Sequence, residues 1–136
     1  MTVKAAIILL CGAGAAQAGP MWDQASDWEC TMEMHLIANL EKNVVTSTGR
    51  KNTYTIDFSA GTRTSGFVDT VGDITEKSYV ESRFGGFNRM VISWDGQLYP
   101  MEIVEKNGEF WTTAASGHAG SDRDIWISNY RCEAVK

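Results

Sequence analysis

Apolar and polar residues alternate over most of the chain, which is the pattern expected of β-strands with one buried face. Near the beginning, the apolar residues Trp28, Cys30, Met32, Met34 and Leu36 occupy alternate positions, and polar residues stand between them. The same period of two recurs in later segments. The pattern predicts seven to nine strands, at residues 28–38, 42–48, 52–58, 66–74, 77–83, 88–94, 97–105, 109–115 and 124–133.

Turn signals separate these segments. Asp95-Gly96 and Asn107-Gly108 are dipeptides that two-residue type I′ hairpins favour, because both central residues need positive φ. They lie twelve residues apart, which is about one strand and one turn. This spacing predicts an antiparallel meander, since a parallel sheet would need long helical crossovers. The segment 36–45 also fits a short helix.

The predicted fold class is therefore all-β. Seven to nine antiparallel strands fit a small meander barrel, because closure removes the free edges of the sheet. A barrel-like sandwich of two sheets is the competing architecture.

The first eighteen residues form a separate segment. Lys4 gives a positively charged start, an apolar run follows, and Ala16-Gln17-Ala18 has the small-x-small pattern after which signal peptidase cuts. We expect residues 1–18 to be a cleaved signal peptide and residues 19–136 to form a single exported domain, periplasmic or secreted. Cys11 then belongs to the discarded segment.

Charge and composition narrow the range of partners. The 136 residues carry a net charge of −5, and the leader contains only one charged residue, which is Lys4. An acidic chain without a cluster of Lys and Arg is poorly suited to neutralise phosphates, so we expect no nucleic-acid partner. After Ala18, no apolar run approaches the roughly 18 residues of a membrane-spanning helix, so we expect no membrane span.

Two cysteines, Cys30 and Cys132, stand near opposite ends of the mature chain. Each shares the alternate register of the apolar residues in its strand, so both thiols are predicted on the buried face. If the first and last strands are neighbours, as closure of a barrel requires, the two side chains can meet. We therefore predict a structural disulfide, because neither cysteine has the C-x-x-C partner of a redox or metal site.

Candidate catalytic groups lack the partners that chemistry needs. His35 alternates with apolar residues and is expected to point outward. His118, Asp122 and Asp124 belong to the Gly- and Ser-rich segment 116–124, which could serve a small hydrolase. That segment has no metal-ligand spacing and no nucleophile motif, so a hairpin loop is the preferred interpretation. The sequence predicts no enzyme, no metal and no cofactor.

Aromatic residues near turns are the candidates for contact with a partner. Besides His118, Asp122 and Asp124, the candidate binding residues are Trp22, Phe67, Phe84 and Phe87. The interior of an eight-stranded barrel can also be wide enough for one small ligand. The pair Met32 and Met34 would suit an adaptable pocket wall.

The placement of the cysteines resembles that of small exported bacterial β-barrels, periplasmic inhibitors of lysozyme among them. These proteins share a cysteine soon after the leader and a Tyr-x-Cys near the end, which here is Tyr130-Arg131-Cys132. The inhibitory Ser-Gly-x-x-Tyr loop of one such family is absent, because neither Ser65-Gly66-Phe67 nor Ser116-Gly117-His118 completes it. The resemblance implies architecture and transfers no functional residue.

The sequence thus favours a non-enzymatic exported binding protein, such as a protein inhibitor or an envelope accessory factor. The alternatives are a lipocalin-like carrier of a small hydrophobic ligand, a hydrolase that uses the segment 116–124, and a component of an envelope or surface assembly. The partner is accordingly a protein or a small hydrophobic ligand, and the sequence does not specify an oligomeric state.

Overall fold

The computed structural model of the protein describes residues 19–66, 70–117 and 124–136. One short helix precedes nine strands. In chain order the elements are α1 (Met21–Gln24), β1 (Asp27–Asn39), β2 (Val44–Ser47), β3 (Thr53–Asp57), β4 (Thr62–Ser65), β5 (Val71–Ser82), β6 (Gly85–Trp94), β7 (Gln97–Lys106), β8 (Glu109–Gly117) and β9 (Asp124–Ala134).

Eight of the strands form a closed antiparallel barrel. From β3 to β9 each strand pairs with the next one along the chain, and β1 completes the circle by pairing with β3 on one edge and β9 on the other. The remaining strand, β2, pairs with residues 36–39 of β1, on the same edge as β3. The predicted all-β meander barrel is confirmed, and the sandwich and the helix at 36–45 are wrong.

The two ends of the chain are joined where the barrel closes. Cys30 of β1 lies directly opposite Cys132 of β9 in the strand register. The two form a disulfide that spans a sequence separation of 102 residues. Both cysteines are buried in the core, so the predicted structural disulfide is confirmed.

A β-bulge in β1 reverses which side chains face the core. The register against β9 shifts between Met32 and Met34, because one extra residue is inserted there. His35 is consequently buried, whereas Met34 is 40% exposed. The expectations that His35 points outward and that Met34 forms a pocket wall with Met32 are therefore wrong.

Several predicted strand boundaries also differ from the structure. The segment predicted as the strands 66–74 and 77–83 contains one continuous strand, β5, which has its own bulge between Ile74 and Glu76. The bulge interrupts the alternation of apolar residues, which is why one strand reads as two. The two predicted hairpin turns are confirmed, because Asp95, Gly96, Asn107 and Gly108 all have positive φ.

The end of the barrel that holds the start of β1 is filled by α1 and its neighbours. Met21 is fully buried, and its backbone N–H donates to Oδ1 of the buried Asn88 at 2.8 Å. Trp28 donates its indole N–H towards the carbonyls of Met21 and Ala25, at 3.3 and 3.2 Å, and packs edge-on against Phe110. The short helix therefore acts as a plug at this end of the barrel.

Candidate functional site

Beyond this packed end, the barrel holds a cavity of about 1250 Å³ that is open to solvent. Its floor is formed by the buried Met90 and Ile92 of β6, and Met101 of β7 lies directly opposite Met90 in the register. The aromatic side chains that line it are Tyr54, Trp94, Tyr99 and Tyr130. Pockets for small molecules typically measure about 300–1,000 Å³ and are mostly apolar, so this cavity is large enough to hold one.

The cavity reaches solvent where β7 and β8 separate. In the described part of the chain, the ladder between these strands runs only from Lys106–Glu109 to Val104–Trp111. The next contact is made by a side chain, since the Thr112 hydroxyl donates to the Glu102 carbonyl at 2.7 Å. Beyond that point, residues of both strands line the cavity.

A proline lies on the edge of β7 that faces this separation. The hydrogen bond from Thr112 shows that the Glu102 carbonyl points toward β8. Backbone groups two residues apart in a strand point to the same side, so the nitrogen of Pro100 also faces β8. Proline has no N–H to donate, which is why it is tolerated on strand edges and why the ladder cannot extend there in full.

Arg63 of β4 brings a positive charge to the cavity wall. Its guanidinium carbon lies 4.1 Å from the centre of the Tyr54 ring. Ile56 and Gly72 stand directly opposite it on the neighbouring strands, and a β-carbon at Gly72 would meet Ile92. The site therefore consists of a guanidinium stacked on an aromatic ring beside an apolar floor.

The described residues give the positive charge of this guanidinium few polar partners. Its Nε is shielded from solvent and has no hydrogen-bond partner. Within the three described segments, no carboxylate forms a salt bridge with Arg63. Burial lowers the pKa of Arg63 below its ordinary value, and its coulombic interactions with Tyr54 and Tyr130 oppose the shift. Arginine nonetheless keeps its proton in proteins, so a partly desolvated positive charge faces the cavity.

Tyr54 and Tyr130 stand beside this charge. Their rings are 5.1 Å apart in an edge-to-face arrangement, and both are buried. Burial raises the pKa of Tyr54 well above its ordinary value of 10.0, although the nearby Arg63 opposes the shift. At neutral pH the Tyr54 hydroxyl therefore keeps its proton and is not a general base.

The raised pKa of Tyr54 predicts a loss of stability at alkaline pH. The unfolded side chain releases its proton near pH 10, while the folded one retains it, so the stabilisation is complete below pH 10 and falls above it. The free energy of unfolding should decrease by up to about 1.4 kcal/mol per pH unit from this residue. Urea titrations between pH 9 and 11.5 should give a steeper decline for the wild type than for Tyr54→Phe. Parallel declines would contradict the assignment.

A histidine and a serine meet on the inner faces of β1 and β9. His35 Nδ1 and Ser128 Oγ are 2.8 Å apart, and the Trp126 ring lies 6.0 Å from the imidazole. A serine beside a histidine could be a nucleophile and its base. However, both residues are buried, neither lines the cavity, and the described hydrogen bonds of the His35 ring include no carboxylate. The pair is best explained as a polar contact within the core.

Four of the binding residues proposed from the sequence lie in the described part of the chain, and none of these four lines the cavity. Trp22 of α1 packs against Phe58. Phe84 is 70% exposed in the turn between β5 and β6, and Phe87 alternates with the buried Asn88, so it lies on the outer face. Asp124 accepts a hydrogen bond from Asn39 at 2.7 Å. These four lie outside the cavity lining, and Phe67, His118 and Asp122 lie outside the described residues.

Sequence reasoning missed the central residue of the site. Arg63 stands in β4, whose four residues Thr62–Ser65 are all polar and carry no alternation. The clue in the sequence that could have identified Arg63 is the short connection between β3 and β4. A tight connection between the two strands would have placed Arg63 opposite Ile56, on the same face of the sheet.

Comparisons with known protein families, curated proteins and solved structures find no match for this chain. Among the described residues there is no helix of a length and hydrophobicity that could span a membrane. The same residues contain no group of three His, Cys, Asp or Glu side chains arranged to hold a metal ion.

Proposed function

We propose that the protein is an exported, non-enzymatic binding protein whose barrel holds a small hydrophobic ligand. The observation that carries this proposal is the cavity of about 1250 Å³, with an apolar floor and an opening between β7 and β8. A packed barrel would instead have to act through its outer surface. The geometry therefore favours the carrier over the protein inhibitor or envelope factor that the sequence favours.

Export is supported by two independent features. The disulfide between Cys30 and Cys132 belongs to an oxidising compartment, such as the periplasm or the extracellular space. The leader pattern in residues 1–18 agrees with such a destination. A ligand carrier in that compartment would need no catalytic group, and the neutral Tyr54 and the core-bound pair of His35 and Ser128 are consistent with binding alone.

Filling the cavity should abolish binding. Ala114 of β8 lines the cavity and stands opposite Ser128, on the inner face. Ala114→Trp would place an indole where the ligand lies, and we expect its affinity for the neutral apolar dye N-phenyl-1-naphthylamine to fall at least about tenfold, or about 1.4 kcal/mol. Fluorescence titration of the purified mature protein measures this affinity.

The matched control is Thr55→Trp. Thr55 is exposed between the buried residues Tyr54 and Ile56, so a tryptophan there points away from the cavity. This variant should bind the dye as the wild type does. Absence of dye binding by the wild type, or equal affinity of wild type and Ala114→Trp, would refute the proposed function.

A further inference from the structure

We propose that the ligand is an amphipathic carboxylate, whose carboxylate group binds Arg63 and whose apolar chain lies over Met90, Ile92 and Met101. This inference rests on the proposed function and adds the chemical class of the ligand. The geometry that carries it is a partly buried guanidinium on the wall of a cavity whose floor is apolar.

Among the described residues, three cationic side chains line the cavity, and they differ in burial and in their partners. Arg89 forms an ion pair with Glu102 at 2.7 Å, and both side chains are exposed. The Lys77 ammonium lies 5.1 Å from the centre of the Trp22 ring and 5.7 Å from that of Phe58. Arg63 alone of the three combines burial with the lack of an anionic partner among the described residues. An anion that enters the cavity therefore gains most by reaching Arg63.

A desolvated positive charge without a counter-ion is costly, and a bound anion would relieve that cost. The Tyr54 ring covers one face of the guanidinium at 4.1 Å. In this stacked arrangement, the N–H donors along the edge of the planar guanidinium can still donate to a planar acceptor. A carboxylate matches that edge with two parallel hydrogen bonds.

The other charged side chains that line the cavity in the described part of the chain are acidic and lie at its rim. Glu76, Asp95 and Glu102 are exposed, and Glu102 is paired with Arg89. Exposed charges are strongly screened at physiological ionic strength, so they repel a deep monoanion only weakly. A phosphate monoester carries about two negative charges and would favour a second cation beside Arg63. Because Arg89 is paired with Glu102 and the Lys77 ammonium lies near the Trp22 and Phe58 rings, Arg63 favours a singly charged carboxylate.

The test compares two ligands of the same chain length. Decanoate and decan-1-ol should both displace N-phenyl-1-naphthylamine from the wild-type protein at pH 7.5, and decanoate should bind at least about tenfold more tightly. In Arg63→Gln this advantage should disappear, whereas the affinity for decan-1-ol should be unchanged. Arg63→Lys should restore part of it, because an ammonium supplies charge without the bidentate fork.

The control variant is Arg131→Gln, which removes an exposed guanidinium that is paired with Glu33 and Glu133 and lies outside the cavity lining. It should keep the preference for decanoate. Circular dichroism melting curves establish that each variant is folded, and the comparison of the two ligands on the wild type decides the question even if Arg63→Gln does not fold.

The outcomes separate the two proposals. Equal affinity of the wild type for decanoate and decan-1-ol overturns the carboxylate assignment and leaves the carrier intact. An unchanged preference in a folded Arg63→Gln also overturns it. If neither ligand nor the dye binds the wild type, the carrier itself is refuted.

Discussion

Replacing both Cys30 and Cys132 by alanine is expected to lower the free energy of unfolding by about 4–5 kcal/mol. The bridge spans a sequence separation of 102 residues, so without it the unfolded chain regains the freedom of an almost unrestricted loop. Small domains have a net stability of about 5–15 kcal/mol, so the loss would take a large share of the total. Urea unfolding followed by tryptophan fluorescence measures the change.

A matched control lies one position further along the same two strands. Thr31 and Arg131 are also directly opposed, on the other face of the sheet. Arg131 contacts Glu33 and Glu133 at 3.4 Å in exposed ion pairs, which contribute at most about 1 kcal/mol. The double variant Thr31→Ala/Arg131→Ala should therefore be much more stable than the cysteine variant. Similar losses for the two would show that the bridge itself contributes little.

Trp28→Ala should be nearly as damaging, with a loss of about 3–5 kcal/mol. Its side chain is 3% exposed, packs against Phe110 with ring centres 4.7 Å apart, and donates towards the carbonyls of Met21 and Ala25. The substitution would leave a cavity and would also remove the hydrogen bonds that hold α1 in the end of the barrel. Urea unfolding measured by far-UV circular dichroism would report the loss.

Trp111 is the matched tryptophan with which the effect of Trp28→Ala can be compared. It is half-buried on β8, and its indole N–H donates to the exposed Glu109 at 3.2 Å. Trp111→Ala should cost about 1 kcal/mol, since most of its surroundings stay solvated. Equal losses for Trp28→Ala and Trp111→Ala would contradict the view that the plug and the core are one packed unit.

Closure of the barrel could be predicted from the sequence because it depends on local patterns. Alternation identified most strands, and the dipeptides Asp95-Gly96 and Asn107-Gly108 specified two hairpins. Closure was expected because it removes free edges, and it brought Cys30 and Cys132, each in register with apolar neighbours, within reach of each other. Each of these signals lies within a few residues, where sequence pattern is most informative.

The bulges could not be predicted in the same way. An inserted residue in β1 changes no residue type, but it exchanges the two faces of the strand, so His35 and Met34 swap their environments. The cavity could not be predicted either, because its volume depends on how side chains from strands far apart in the sequence pack together. Arg63 could not be recognised as part of it, since only the pairing with Ile56 and Gly72 places it there.

The proline on the edge of β7 has a consequence for how copies of the molecule behave toward each other. Two strands that part from one another expose rows of backbone donors and acceptors, and such rows can recruit a strand from a second chain and start aggregation. Pro100 interrupts the donor row on one side of the gap. A barrel built in this way can keep the opening between β7 and β8 while offering a strand from another chain an incomplete row of backbone donors.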